Sequence, residues 1–79
     1  MDKEEIFRLV ISISTEVIPE LEGKDIPITD TLKDWGANSI DRAEIVMMTL
    51  ESLSLNIPMV ELAHTRNIEE LVDKLHARL

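Results

Sequence analysis

The chain has 79 residues, with 16 Asp or Glu against 8 Lys or Arg, a formal charge of −8, 44% apolar residues, one Trp, one Phe and no Cys. That length points to one small domain over 1–79, near the lower limit for a core held without disulfides or a metal, and the lack of Cys excludes disulfides, thiolate nucleophiles and thiolate metal sites. No apolar run approaches the ~18 residues of a membrane span and no basic, apolar leader is readable, so a cytoplasmic location is expected.

The charge is uneven, with ten acids against three bases between Glu16 and Glu61. Such a field repels nucleic acid and anionic lipid and steers basic protein surfaces toward the middle of the chain. Charge placed for solubility alone would look the same.

Asp2 followed by Glu5 reads as a helix cap with an acid at the third helical position. Ile6, Leu9, Val10, Ile13 and Val17 recur at three- and four-residue steps, widened by Phe7, Ile11 and Ile18, and Pro19 ends the pattern. The spacing predicts a first helix over Lys3 to Ile18. From Pro19 to Asn38 no periodicity is sustained, and Gly23 and Pro27 punctuate a long connection. A loop of that length needs anchors or a function; Ile26, Ile28, Leu32 and Trp35 are the expected anchors.

Helical periodicity resumes at Ser39 and continues to about Leu53. Ala43, Ile45, Val46, Thr49, Leu50 and Leu53 fall on one arc, expected to face the core, while Ile40, Glu44, Met47, Met48 and Glu51 fall on the other side. Exposed methionines adapt to partners of different shape and neighbouring acids orient them, although Met47 and Met48 could equally fill a core. Asn56-Ile57-Pro58 reads as a turn into a short helix from Met59 to Ala63. Asn67 with Glu70 forms a further cap before the stripe Ile68, Leu71, Val72, Leu75, which predicts a last helix to about Ala77, with Lys74 and Arg78 near its negative end.

His64 and His76 have neither metal-ligand spacing nor a neighbouring nucleophile, and only Gly23 and Gly36 are available for a phosphate-binding loop. No metal and no catalytic residue is expected; a bundle this small rarely encloses a water-excluding pocket. Ser39 has a different prospect. It follows Gly36-Ala37-Asn38 and opens a helix, so its hydroxyl should be exposed among unpaired amides at the positive end of a helix dipole, where a phosphate ester would be stabilised. The plain alternative is that Asn38 or Ser39 is only an N-cap.

The run Trp35-Gly36-Ala37-Asn38-Ser39-Ile40-Asp41-Arg42-Ala43-Glu44-Ile45-Val46-Met47 resembles the modification segment of acyl carrier proteins, with Asn38 and Ile40 where Asp and Leu are usual. The resemblance extends over nearly the whole chain, with Ile57-Pro58 at the family's usual distance. It implies an all-α fold, a small acyl-carrier-type four-helix bundle with a long loop between the first two helices and a short third helix. It also implies 4′-phosphopantetheine as cofactor, attached to Ser39, and a non-catalytic role in which the group carries acyl chains as thioesters. Partner docking is implied at Ile40, Asp41, Arg42, Glu44, Met47, Met48, Glu51, Met59 and Val60, and an acyl pocket at Val46, Leu50, Ile57, Leu62, Ile68 and Leu71.

Within the family, the Asn38-Ser39 pair with Arg42 looks most like the free-standing carriers of polyketide β-branching cassettes, found in antibiotic-type pathways. That implies a monomer carrying malonyl and acetyl groups. Its partners would be a phosphopantetheinyl transferase, a malonyl or acyltransferase, a ketosynthase-like decarboxylase and a hydroxymethylglutaryl (HMG)-synthase-like enzyme, with no nucleic acid and no membrane. A general fatty-acid carrier is the alternative within the class, and an unmodified helical adaptor the alternative outside it.

Overall fold

The computed structural model describes residues 1–62 and 64–79. Among the described residues four α-helices carry the fold: α1 (Lys3–Val17), α2 (Ser39–Leu53), α3 (Met59–Leu62) and α4 (Ile68–His76). Single 3-10 turns at Pro19–Leu21 and Lys33–Trp35 interrupt the α1–α2 connection, and no strand occurs among the described residues. The last residue expected in α3, Ala63, lies outside the described residues.

α1 starts on a reciprocal cap. The Asp2 carboxylate accepts from the Glu5 amide at 2.8 Å while Glu5 accepts from the Asp2 amide at 3.1 Å, which satisfies two of the donors that a helix start leaves open. The helix ends at Val17, one residue earlier than the periodicity suggests. Ile18, before Pro19, is held at φ −127° and ψ 87°, as the proline ring demands of its predecessor. Ile6, Val10 and Ile13 are buried together with Ser14, whose hydroxyl donates to the Val10 carbonyl at 2.7 Å. α1 packs on both α2 and α4, and α3 rests on α2. Ile6, Val10, Ile45, Thr49, Ile68, Val72 and Leu75 form the fully enclosed centre.

The connection from α1 to α2 is tied down along its length. Ile26 and Leu32 are buried and Ile28 and Trp35 half-buried against the core, joined by Leu21, which the periodicity does not single out. The Trp35 indole donates to Asp30 at 3.0 Å. The same stretch completes the start of α4: the Ile68 amide donates to the Asp30 carbonyl and the Glu69 amide to the Ile28 carbonyl, while Asn67 caps the Glu70 amide. All three amides that open α4 therefore have acceptors inside the molecule.

α2 departs from the expected faces at two margins. Ile45, Thr49 and Leu50 are buried and Val46 and Leu53 half-buried, but Ala43 is exposed, and Met48 packs inward instead of outward. At about 100° per residue, Ala43 stands about 160° from Ile45 whereas Met48 stands only about 60° from it. The core thus reaches round to Met48 and stops short of Ala43. At the other end of the molecule, Lys74 donates to the Glu61 carbonyl at 3.0 Å and Arg78 pairs with the Glu61 carboxylate at 2.7 Å. These two bases clamp α3 to α4 in addition to facing the dipole.

Candidate functional site

The approach to Ser39 is built from four local choices. Gly36 sits at φ 97° and ψ 4°, a left-handed conformation that side chains with a Cβ disfavour. Its turn delivers Ala37, which is almost fully buried and whose amide donates to the Leu32 carbonyl at 3.1 Å. Asn38 then caps α2 in a reciprocal pair with Asp41: Asn38 accepts from the Asp41 amide at 2.8 Å and Asp41 accepts from the Asn38 amide at 3.2 Å. Finally Arg42 donates to the Ala37 carbonyl at 2.7 Å, fastening the first turn of α2 back onto the loop.

This arrangement takes up the outer two of the four amides that a helix start leaves open and spares the middle two. Those two belong to Ser39 and Ile40, and among the described residues neither has an acceptor. The contrast with α4, whose first amides are all engaged, is direct. Ser39 is exposed at this point, its hydroxyl beside two free N–H groups and the positive end of a 15-residue helix.

Next to Ser39 runs a groove of about 530 Å³ between α2 and α3, lined mainly by apolar side chains. Of the six residues expected to line an acyl pocket, Val46, Leu62 and Leu71 are there. Leu50, Ile57 and Ile68 are buried away from it; Ile57 borders a recess of about 300 Å³ toward the end of α4 and Ile68 one of about 230 Å³ beneath the loop. Leu32, Ala43 and Thr65, none of them among the six expected pocket residues, also line the groove wall. They are drawn in from the long loop, the margin of α2 and the segment before α4.

Of the residues expected on a docking face, Ile40, Glu44, Met47 and Glu51 are exposed on the outer side of α2, and Met59 and Val60 are exposed on α3 while also lining the groove. Asp41 and Arg42 are half-buried and engaged in the cap and the loop, and Met48 is turned toward the core. Among the described residues no group of His, Asp or Glu is placed to hold a metal ion, and no helix is long and apolar enough to cross a membrane.

Small size, helices alone, a serine at a helix start with spare amides and an apolar groove beside it describe a carrier of a tethered group. Residues 8–75 match the family described as "Phosphopantetheine attachment site", and the chain belongs to that family, the acyl carrier proteins. It is 47% identical over 79 residues to the polyketide biosynthesis acyl-carrier-protein AcpK of Bacillus subtilis (strain 168), a match covering 100% of this chain and 96% of that one. It is 30% identical over 73 residues to an acyl carrier protein of Rubrobacter xylanophilus (strain DSM 9941 / JCM 11954 / NBRC 16129 / PRD-1), covering 92% and 90%. Its fold matches a chain in the crystal structure of the curacin biosynthetic pathway HMG synthase in complex with acetyl donor-ACP, with a TM-score of 0.92, 47% identity and coverage of 98% and 99%. The protein is therefore a non-catalytic acyl carrier whose cofactor is phosphopantetheine.

Proposed function

We propose that Ser39 is the attachment point of the phosphopantetheine arm and that the loaded protein presents malonyl and acetyl groups to an HMG-synthase-like enzyme during polyketide β-branching. The observation that carries the reading is that Ser39 is exposed and lines the apolar groove, while its own amide and that of Ile40 have no acceptor among the described residues. The subtype draws on 47% identity both to a polyketide carrier and to a chain from a complex of an HMG synthase with an acetyl donor.

The arm supplies a thiol on a flexible tether, to which acyl groups are joined as thioesters. The chain supplies position. The Ser39 and Ile40 amides and the positive end of the α2 dipole would stabilise a phosphate joining arm to serine. Asn38, Asp41 and Arg42 keep the first turn of α2 closed, so that the backbone carrying the exposed hydroxyl is fixed when a phosphopantetheinyl transferase approaches. Val46, Leu62 and Leu71 offer apolar shelter to a tethered chain, while Ile40 and Met47 on α2 and Met59 and Val60 on α3 expose apolar side chains, with Glu44 and Glu51 also exposed on α2. A partner with an apolar docking patch and basic surroundings fits that surface.

The loading sequence that fits is transfer of the arm, acylation by a malonyl or acyltransferase, decarboxylation by a ketosynthase-like enzyme, then delivery. Intact mass after incubation with a phosphopantetheinyl transferase and coenzyme A tests the first step. The expected result is one arm per chain, absent in Ser39→Ala. An unchanged mass for the unsubstituted protein would leave a helical adaptor as the better reading. Reconstitution with an HMG-synthase-like enzyme tests the last step; support of long-chain fatty-acid elongation without acetyl delivery would make the protein a general fatty-acid carrier.

A further inference from the structure

The recess of about 230 Å³ beneath the loop has a chemistry unlike the rest of this acidic protein. Its polar lining consists of Thr31, Lys33, Arg42, Thr65, Arg66 and Asn67, with no carboxylate among the lining residues, over an apolar floor of Leu32, Ile68 and Leu71. Three of the eight bases of a chain with net charge −8 thus meet at one small depression.

The hydrogen bonds already made there decide what it can take. Thr31 accepts from the Asp34 amide at 3.0 Å, which leaves its O–H proton available. Asn67 accepts from the Glu70 amide at 2.9 Å through its carbonyl oxygen, which leaves its NH2. Arg42 uses one guanidinium nitrogen on the Ala37 carbonyl. Arg66 uses its Nε on Glu70 at 2.8 Å, and Glu70 offsets part of its charge. Thr65 gives its hydroxyl proton to the Leu62 carbonyl. Lys33 and Arg42 enter no ion pair among the described residues. What remains unengaged is a set of donors: the Lys33 ammonium, further N–H groups of Arg42 and Arg66, the Asn67 amide and the Thr31 hydroxyl. Such a set fits a small anion.

Free anions are repelled by the field of the whole chain, and side chains this exposed bind them weakly. A tethered anion is different, because attachment near the site raises its effective concentration to about the millimolar range. The recess shares Leu32, Arg42, Thr65 and Leu71 with the groove beside Ser39, so cargo lying in that groove reaches it without leaving the protein surface.

We infer that this recess holds the free carboxylate of a carboxyacyl cargo of the malonyl class while the cargo is carried on the arm, an inference that rests on Ser39 being the attachment point. The consequence is a carrier that distinguishes its two loaded states. A malonyl group is anchored at both ends. Loss of its carboxylate as carbon dioxide, with a proton taken up at the same carbon, leaves an acetyl group anchored only through the arm and free to enter a partner's site.

The test uses full-length protein loaded with malonyl or acetyl groups, each joined to the arm by an amide in place of the thioester to prevent hydrolysis. Intact mass is read first; failure to gain the arm overturns the attachment reading itself. With loading confirmed, the malonyl form is expected to shift the Asn67 side-chain amide, the Arg42 Nε–H and the Thr31 and Lys33 backbone amides relative to the acetyl form in 1H–15N spectra. Its labelled terminal carboxylate is expected to titrate about half a unit lower than in the free malonyl-pantetheine analogue, and the Lys33→Gln/Arg66→Gln variant is expected to remove that lowering. Superimposable spectra of the two loaded forms, with a carboxylate titrating as in the free analogue, overturn the inference while leaving the carrier assignment intact. That is also the result expected if the recess instead receives an acidic surface of a partner protein. Should the double variant fail to fold, the comparison of the two loaded forms of the unsubstituted protein is decisive alone.

Discussion

Asn38→Ala isolates the device that presents Ser39. In the structure the Asn38 side chain accepts from the Asp41 amide at 2.8 Å, and the return bond from the Asn38 amide to the Asp41 carboxylate, at 3.2 Å, needs only the backbone of residue 38. Alanine therefore removes one of the two bonds. The orphaned Asp41 amide lies in an exposed turn where water can replace the lost acceptor, which holds the cost to the usual cap value of about 1 kcal/mol. For a chain of this size that corresponds to a melting temperature lower by about 4–8 °C, and to a urea midpoint lower by about 1 M if the slope is about 1 kcal/mol/M. Total stability of about 4–12 kcal/mol leaves the variant folded.

Asn38→Asp is the informative partner. It keeps the acceptor and adds a charge favoured by the helix start by about 0.3–1 kcal/mol, opposed by Asp41 in the same turn and by the overall charge of −8. Aspartate is expected to equal asparagine within about 0.5 kcal/mol. Urea denaturation followed by far-UV circular dichroism, with the slope m checked for constancy, measures all three proteins. If alanine unfolds at the same urea concentration as asparagine, or aspartate falls as far as alanine, the reciprocal cap does not hold the start of α2 and the account of how Ser39 is presented fails.

Three further outcomes follow from the same geometry. Ile45 is fully enclosed where α2 contributes to the core, so Ile45→Val is expected to cost about 1 kcal/mol and Ile45→Ala about 2–5 kcal/mol in chemical denaturation; equal midpoints would contradict its placement. Trp35→Phe keeps most of the ring that packs on the core but loses the 3.0 Å bond to Asp30, an expected loss of about 1 kcal/mol by thermal melting. Hydrogen bonding from Arg66 holds the Glu70 carboxyl below the ordinary glutamate value, so its contribution is complete above the unfolded-state value and disappears as the pH falls through the lower folded-state value. The melting-temperature gap between the native protein and Glu70→Gln is accordingly expected to be small, to narrow as the solution is acidified and to shrink in salt; a gap that widens with acid would reverse the sign.

Local chemistry made most of the helices legible. Asp2 with Glu5 and Asn67 with Glu70 lie three residues apart, so their caps depend only on backbone that is near in sequence, and Pro19 terminates α1 through its own ring. The reciprocal cap at Asn38 is local too, but Asp41 takes the place where Glu or Gln is the usual signal. Ser39 stood out for related reasons: Gly36, Asn38 and the helix start are contiguous with it, and the family motif is a run of neighbours.

The groove, the recess and the clamp on α3 were of another kind. Leu32 and Thr65 come from separate segments to the wall beside Ser39, and the Ile28 and Asp30 carbonyls, by binding the first amides of α4, tie those segments together. Lys33, Arg42 and Arg66 meet at one depression although they come from a loop, α2 and the approach to α4. The amino-acid order alone determined most of the helices and their side-chain caps and singled out Ser39, since hydrogen bonds and side-chain spacing within a turn set these. Which residues share a wall, whether Met48 turns inward and Ala43 outward, and where positive charge gathers on an acidic protein were decided by tertiary packing, because those juxtapositions join positions far apart along the backbone.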